Sequence, residues 1–143
     1  MGIFLIYWLP VFVWMAFLFP VNDALSFKST SSFLMPILTW LLPHASQSTI
    51  TALHAFIRKC AHFGGYAILA FLLFRSFRAT EKKTWKVKWV MYSGILAISY
   101  AILDEFLQTF ISSRTGSIFD CLIDSAGVVF ALMIVSRKKR LRD

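Results

Sequence analysis

From the N-terminus to Asp23 the chain carries no charged residue, and three further apolar runs follow it. About 20 apolar residues in a helix cross the roughly 30 Å hydrocarbon core of a bilayer, whereas a soluble fold would have to bury each such run on every side. Composition supports the first alternative. Mean hydropathy is +0.68 and only 15% of residues are charged, against about a quarter in soluble domains. So few charges cannot cover a globule of 143 residues, a length that suits one domain. Lipid must therefore be the solvent for much of the surface.

The first run has an apolar core from Ile3 to Phe19, with Tyr7, Trp8 and Trp14 as interface or packing aromatics. Its Pro10 is tolerable in a helix that packs within a bundle. With no basic leader and no A-x-A cleavage site, the run reads as a retained helix rather than a removed signal peptide. Residues 21–50 read as polar and irregular, broken by an apolar patch from Phe33 to Leu42 that holds Pro36 and Trp40. That patch is too short to span and is expected to lie in the membrane interface. Further spans are expected over about 53–77, 87–111 and 117–136. The expectation is an all-α, four-helix transmembrane bundle with a short interfacial segment between its first and second helices.

Basic residues set the orientation. Arg75, Arg78, Lys82, Lys83, Lys86 and Lys88 surround the loop after the second span, and Arg137, Lys138, Lys139, Arg140 and Arg142 follow the fourth, eleven of the chain's 15. The positive-inside rule makes that side cytoplasmic, so both termini are expected inside a multi-pass protein of the cell membrane. The formal net charge of +8 thus flanks apolar runs rather than forming a nucleic-acid platform, and no nucleic-acid partner is expected. Cys60 and Cys121 have neither metal-ligand nor CxxC spacing and read as small apolar fillers; a disulfide between them is left open. Trp85, Trp89 and Tyr92 read as belt aromatics, and His44 and His54 as surface residues.

Only 12 uncharged residues separate His62 from Arg75, and again Asp124 from Arg137, about 18 Å of helix. These helices span only if their charged first turns are partly submerged. The submerged set gathers on the outward side: Arg58, Lys59, His62 and Tyr66; Asp104, Glu105 and Gln108; Arg114; Asp120, Asp124 and Gly127. It includes four of the chain's seven acidic residues. Lys59, His62 and Tyr66 share a helical face, as do Asp104 and Gln108, and Asp120 and Asp124 with Gly127 a turn on. A glycine there lets a neighbouring helix approach closely. Each charge near the bilayer centre costs about 2.5–3.5 kcal/mol, so the carboxylates should meet Lys59, Arg114 and Arg58, or be protonated.

Three blocks carry a family resemblance: R-K-C-A-H-F-G-G-Y (Arg58 to Tyr66), D-E-F-L-Q (Asp104 to Gln108) and R-T-G-S-I-F-D-C-L-I-D-S-A-G (Arg114 to Gly127). In this order they resemble the VanZ-like family, named for a membrane protein associated with resistance to teicoplanin, a glycopeptide. The resemblance implies an envelope role and points to Lys59, His62, Tyr66, Asp104, Glu105, Gln108, Arg114, Asp120 and Gly127. It supplies no reaction. Asp124 stands where the family's asparagine is expected, and Gly65 where an acidic residue is common.

Four readings of this set stay open. It can be a structural clasp whose ion pairs fix helix register. It can bind an anionic envelope lipid, a lipid-linked wall precursor or a glycopeptide-related ligand through Arg58, Lys59 and Arg114, since arginine suits phosphate. It can be an enzyme acting on a lipid phosphate, with His62 as acid or base and Asp104 or Glu105 beside it. Acidic residues with a histidine also serve proton pathways, although the cytoplasmic half offers only Ser93 and Ser99. A divalent metal has suitable ligands here, but the interspersed Lys59 and Arg114 count against it, and neither metal nor other cofactor is expected.

Overall fold

The computed structural model describes residues 2, 4–19, 27–81, 85–110 and 117–140, and of 27–29 and 138–140 the backbone alone. Helix α1 (Leu9–Leu18) follows a π-helical turn at Phe4–Trp8, and α2 (Phe27–Leu41), α3 (Gln47–Thr80), α4 (Val87–Gln108) and α5 (Ile118–Arg140) complete the chain. The described residues are all helix and connection, with no strand among them. Helices α3, α4 and α5 are long and apolar enough to cross a membrane. The first apolar helix, Phe4–Leu18, is shorter.

Pro10 accounts for the unusual start. It has no N–H for the carbonyl four residues back, Ile6, and its ring crowds that carbonyl. The wider π turn immediately before it relieves both problems. Ser76 of α3 then supports the turn from outside: its hydroxyl is 2.7 Å from the Tyr7 carbonyl and 2.8 Å from its own Leu72 carbonyl, donating between them.

Two expectations about chain path change. Residues 27–41 are not irregular but helical, and the apolar patch is the second half of α2, with Pro36 inside it. Helix α3 begins at Gln47 rather than near Leu53, because Ser46 caps it by accepting the Thr49 N–H at 3.2 Å. Its 34 residues extend about 51 Å, so it outreaches a bilayer core.

The core lies along the contacts of α3 with α5 and α4. Tyr66, Leu69, Ala70, Leu73 and Phe74 of α3 meet Ala97 and Ala101 of α4 and Val128 and Leu132 of α5. The buried stripe Ser93, Ala97, Ala101 keeps α4 thin where it packs, which suits helices associating in lipid by close van der Waals contact rather than hydrophobic exclusion. At Gly127 the closeness is extreme: a Cβ there would collide with the Phe63 carbonyl of α3. Outward faces carry exposed Phe12, Phe17, Ile95, Ile102, Phe130 and Met133, a surface fitted to acyl chains.

At the basic end, Phe77 stacks on Trp89 at 5.8 Å and meets Trp8 edge-on at 5.1 Å. Trp89 is therefore part of the core, 7% exposed, and not a belt residue facing lipid. Glu81, just beyond α3, pairs with Lys86 and, at 3.1 Å, with Lys88. The two ammonium groups hold its carboxyl below the usual glutamate range.

Candidate functional site

The start of α5, the end of α4 and the first half of α3 converge, and nearly all the acidic side chains of the described residues are there. Helical spacing on α3 puts Lys59, His62 and Tyr66 along one side, and each takes a different carboxylate. Lys59 Nζ donates to Asp120 Oδ1 of α5 at 2.9 Å. His62 Nδ1 lies 3.3 Å from Asp124 Oδ1, also of α5. The Tyr66 hydroxyl donates to Asp104 Oδ2 of α4 at 2.8 Å, deep in the bundle.

Glu105 does something the sequence did not suggest. Its Oε2 accepts the Ser117 N–H at 2.7 Å, so a side chain of α4 caps α5 from outside. The first N–H groups of a helix have no partner within it, and a carboxylate there also meets the positive end of the helix dipole. The four acids thus stitch α3 to α5, α3 to α4 and α4 to α5.

The pairs differ sharply in environment. Lys59 and Asp120 have side chains 48% and 28% exposed, whereas Asp124 is fully buried, Asp104 3% exposed and Glu105 7%. Gln108 is also buried, and its amide nitrogen has no hydrogen-bond partner among the described residues. Arg114 lies outside the described residues.

Beside this cluster a cavity of about 390 Å³ opens between α1, α2, α3 and α4. Its walls are mainly apolar, with Trp14, Phe17, Leu18 and Ile68 prominent; its polar groups are Thr30, Arg58, His62, Tyr66 and Asp104. Arg58 therefore faces away from the Lys59–Asp120 pair, one residue along the same helix. Trp14 fixes α1 here, its indole N–H donating to the Gly65 carbonyl at 2.9 Å. A Cβ at Gly65 would lie 3.1 Å from the tip of the Leu18 side chain, which would have to shift by a few tenths of an ångström. Tyr100 holds α1 from the other side, donating to the Met15 carbonyl at 2.7 Å.

Of the residues expected to act together, the structure joins Lys59, His62, Tyr66, Asp104, Asp120, Asp124 and Glu105 to one cluster and puts Arg58 on the adjoining cavity. Sequence reasoning named Trp14 only as a packing or interface aromatic and did not single out Thr30, Ser117 or Tyr100; a lone tryptophan or threonine in an apolar or polar stretch carries no signal of its partner. His54 is a correction: expected on the surface, it is fully buried, on the Ile50–His54–Arg58 stripe that follows helical spacing on α3. Helix α2 packs on α3, which accounts for that burial. Cys60 and Cys121 are both free, and Ser93 hydrogen-bonds within its own helix, to the Trp89 carbonyl.

Among known families, the VanZ/LLP1 model matches residues 3–139. No curated relative and no solved structure matches the chain.

Proposed function

The chain belongs to the VanZ/LLP1 family, and from that premise we propose that it binds an anionic envelope lipid or lipid-linked wall precursor in the cavity beside the acidic cluster. The observation that carries this reading is the composition of the cavity. Trp14, Phe17, Leu18 and Ile68 offer an acyl or prenyl chain an apolar wall, and Arg58 and His62 offer a headgroup donors on the same surface. Apolar pockets with a few convergent polar groups are the usual form of small-ligand sites, and guanidinium suits phosphate.

In this reading Phe4–Leu18 is a fourth span, α2 lies in the interface with Thr30 at the cavity mouth, and both termini are cytoplasmic. The cavity then opens in the outer leaflet. Glycopeptides act on lipid-linked wall precursors, so a site of this kind fits a contribution to envelope physiology or teicoplanin-type resistance.

Native mass spectrometry of gently extracted protein tests it. A phospholipid or polyprenyl phosphate should remain bound to the unaltered chain and be lost in Arg58→Gln. Retention of no lipid, or equal retention in Arg58→Gln, sinks the proposal. The second reading, a structural clasp, is favoured by one fact: Lys59, His62 and Tyr66 each meet a carboxylate of another helix. It expects variants in those pairs to lose accumulation in the membrane rather than lipid.

A further inference from the structure

The four acids of the cluster are unevenly partnered. Asp120 has Lys59 and Asp104 has Tyr66, while Glu105 and Asp124 converge on His62. One nitrogen or oxygen from each of His62, Glu105 and Asp124 lies within 4.8 Å of the other two. Both acids are more than nine-tenths buried. Among the described residues, Glu105 uses Oε2 on the Ser117 amide and its Oε1 has no hydrogen-bond partner. Among the described residues neither Asp124 oxygen has a hydrogen-bond partner by geometry either, its nearest cation being His62, whose Nδ1 lies 3.3 Å from Oδ1. A buried charge left without its partner is strongly destabilising, and here two carboxylates share one imidazole.

We propose that His62, Glu105 and Asp124 bind a single divalent transition-metal ion of the Zn²⁺ or Mn²⁺ type. A dication neutralises the two carboxylates and gives their unpartnered oxygens something to bond. One imidazole nitrogen with two carboxylate oxygens is a three-ligand set that leaves a position open. Mg²⁺ and Ca²⁺ prefer oxygen alone. Donors on one tetrahedral ion lie about 3.3 Å apart, so binding draws the three side chains together from their present separation. Lys59, a cation that argued against a metal on sequence grounds, is turned to Asp120 and is not in the set.

The three ligands come from α3, α4 and α5, so the ion ties together the helices that form the core. His62 is also part of the cavity wall. The ion therefore borders the cavity, and, if the lipid reading holds, presents its positive charge to the anionic headgroup. The metal site itself rests on its three ligands and not on that reading.

The test uses full-length protein in lipid nanodiscs, stripped with EDTA and titrated with Zn²⁺ and with Mn²⁺ by calorimetry, with metal counted by mass spectrometry after desalting. One ion per chain is expected. Loss of a second-sphere partner weakens metal sites about 10–100-fold, so Asp124→Asn and Glu105→Gln, which remove ligand charge itself, should weaken binding at least about tenfold. Glu81→Gln, at the opposite end of α3 and remote from the set, should not change it. Co²⁺ added to the unaltered chain should give visible d–d bands that Zn²⁺ abolishes, a readout that needs no variant to fold. No stoichiometric ion in the unaltered protein, or full affinity in Asp124→Asn, overturns the proposal. Metal without co-purified lipid sinks only the lipid reading, and lipid without metal sinks only this one.

Discussion

Tyr66, Lys59 and Gly127 show how differently neighbouring positions of one cluster should respond to change. The Tyr66 hydroxyl is buried against Asp104, so Tyr66→Phe leaves a buried carboxylate short of a donor. The expected cost is about 1–3 kcal/mol, read as a lower midpoint of thermal unfolding followed by circular dichroism in detergent. Lys59→Ala removes a pair at the edge of the bundle surface, its side chains 48% and 28% exposed, and exposed pairs contribute about 0–1 kcal/mol. It should leave the same midpoint nearly unchanged. Gly127→Ala puts a methyl group onto the Phe63 backbone, where no side chain can move aside. Overpacking costs about 1–3 kcal/mol where side chains can shift, so this variant should lose at least that, with α3 and α5 forced apart.

At the scale of elements, two helices depend on side chains of other helices for their ends or their position. Helix α5 is capped by Glu105 of α4. Glu105→Ala should fray its first turn, seen as faster amide exchange at Asp120 and Cys121, whose N–H groups bond to the Ser117 carbonyl, while Glu105→Gln keeps an acceptor and should protect them. A cap of this kind contributes about 0.5–2 kcal/mol. Helix α1 hangs on Trp14 and Tyr100. Trp14→Phe keeps an aromatic group but loses the pyrrole ring and its bond to Gly65, so it should weaken stability by at least about 1 kcal/mol and loosen one wall of the cavity. Lipid retention by native mass spectrometry should fall with it.

For the whole molecule the charge asymmetry makes a topological prediction. In a Cys60→Ser, Cys121→Ser background, Ser48→Cys near the start of α3 should react with a membrane-impermeant maleimide in intact cells. Thr80→Cys at the other end should react only after permeabilisation. Both native positions are exposed on the helix. The reverse pattern would invert the orientation argued from the basic residues.

Much of this was legible in the chain. Uncharged runs that only a bilayer can solvate, the segregation of basic residues, and the spacing of Lys59, His62 and Tyr66 along one helix depend on local covalent order, and the helices and the acidic cluster follow from them. What the sequence left open were partnerships. Whether Lys59 meets Asp104 or Asp120, whether Glu105 pairs with a cation or caps a helix, and that Trp14 reaches Gly65 all depend on the axial offset and rotation of helices distant in sequence. Close packing at Gly127 and along Ser93, Ala97 and Ala101 settles those offsets, and a one-turn slip would reassign every pair. Trp89 and His54 make the same point: their residue types suit a membrane interface and a loop, and only the neighbours that tertiary packing brings put both inside.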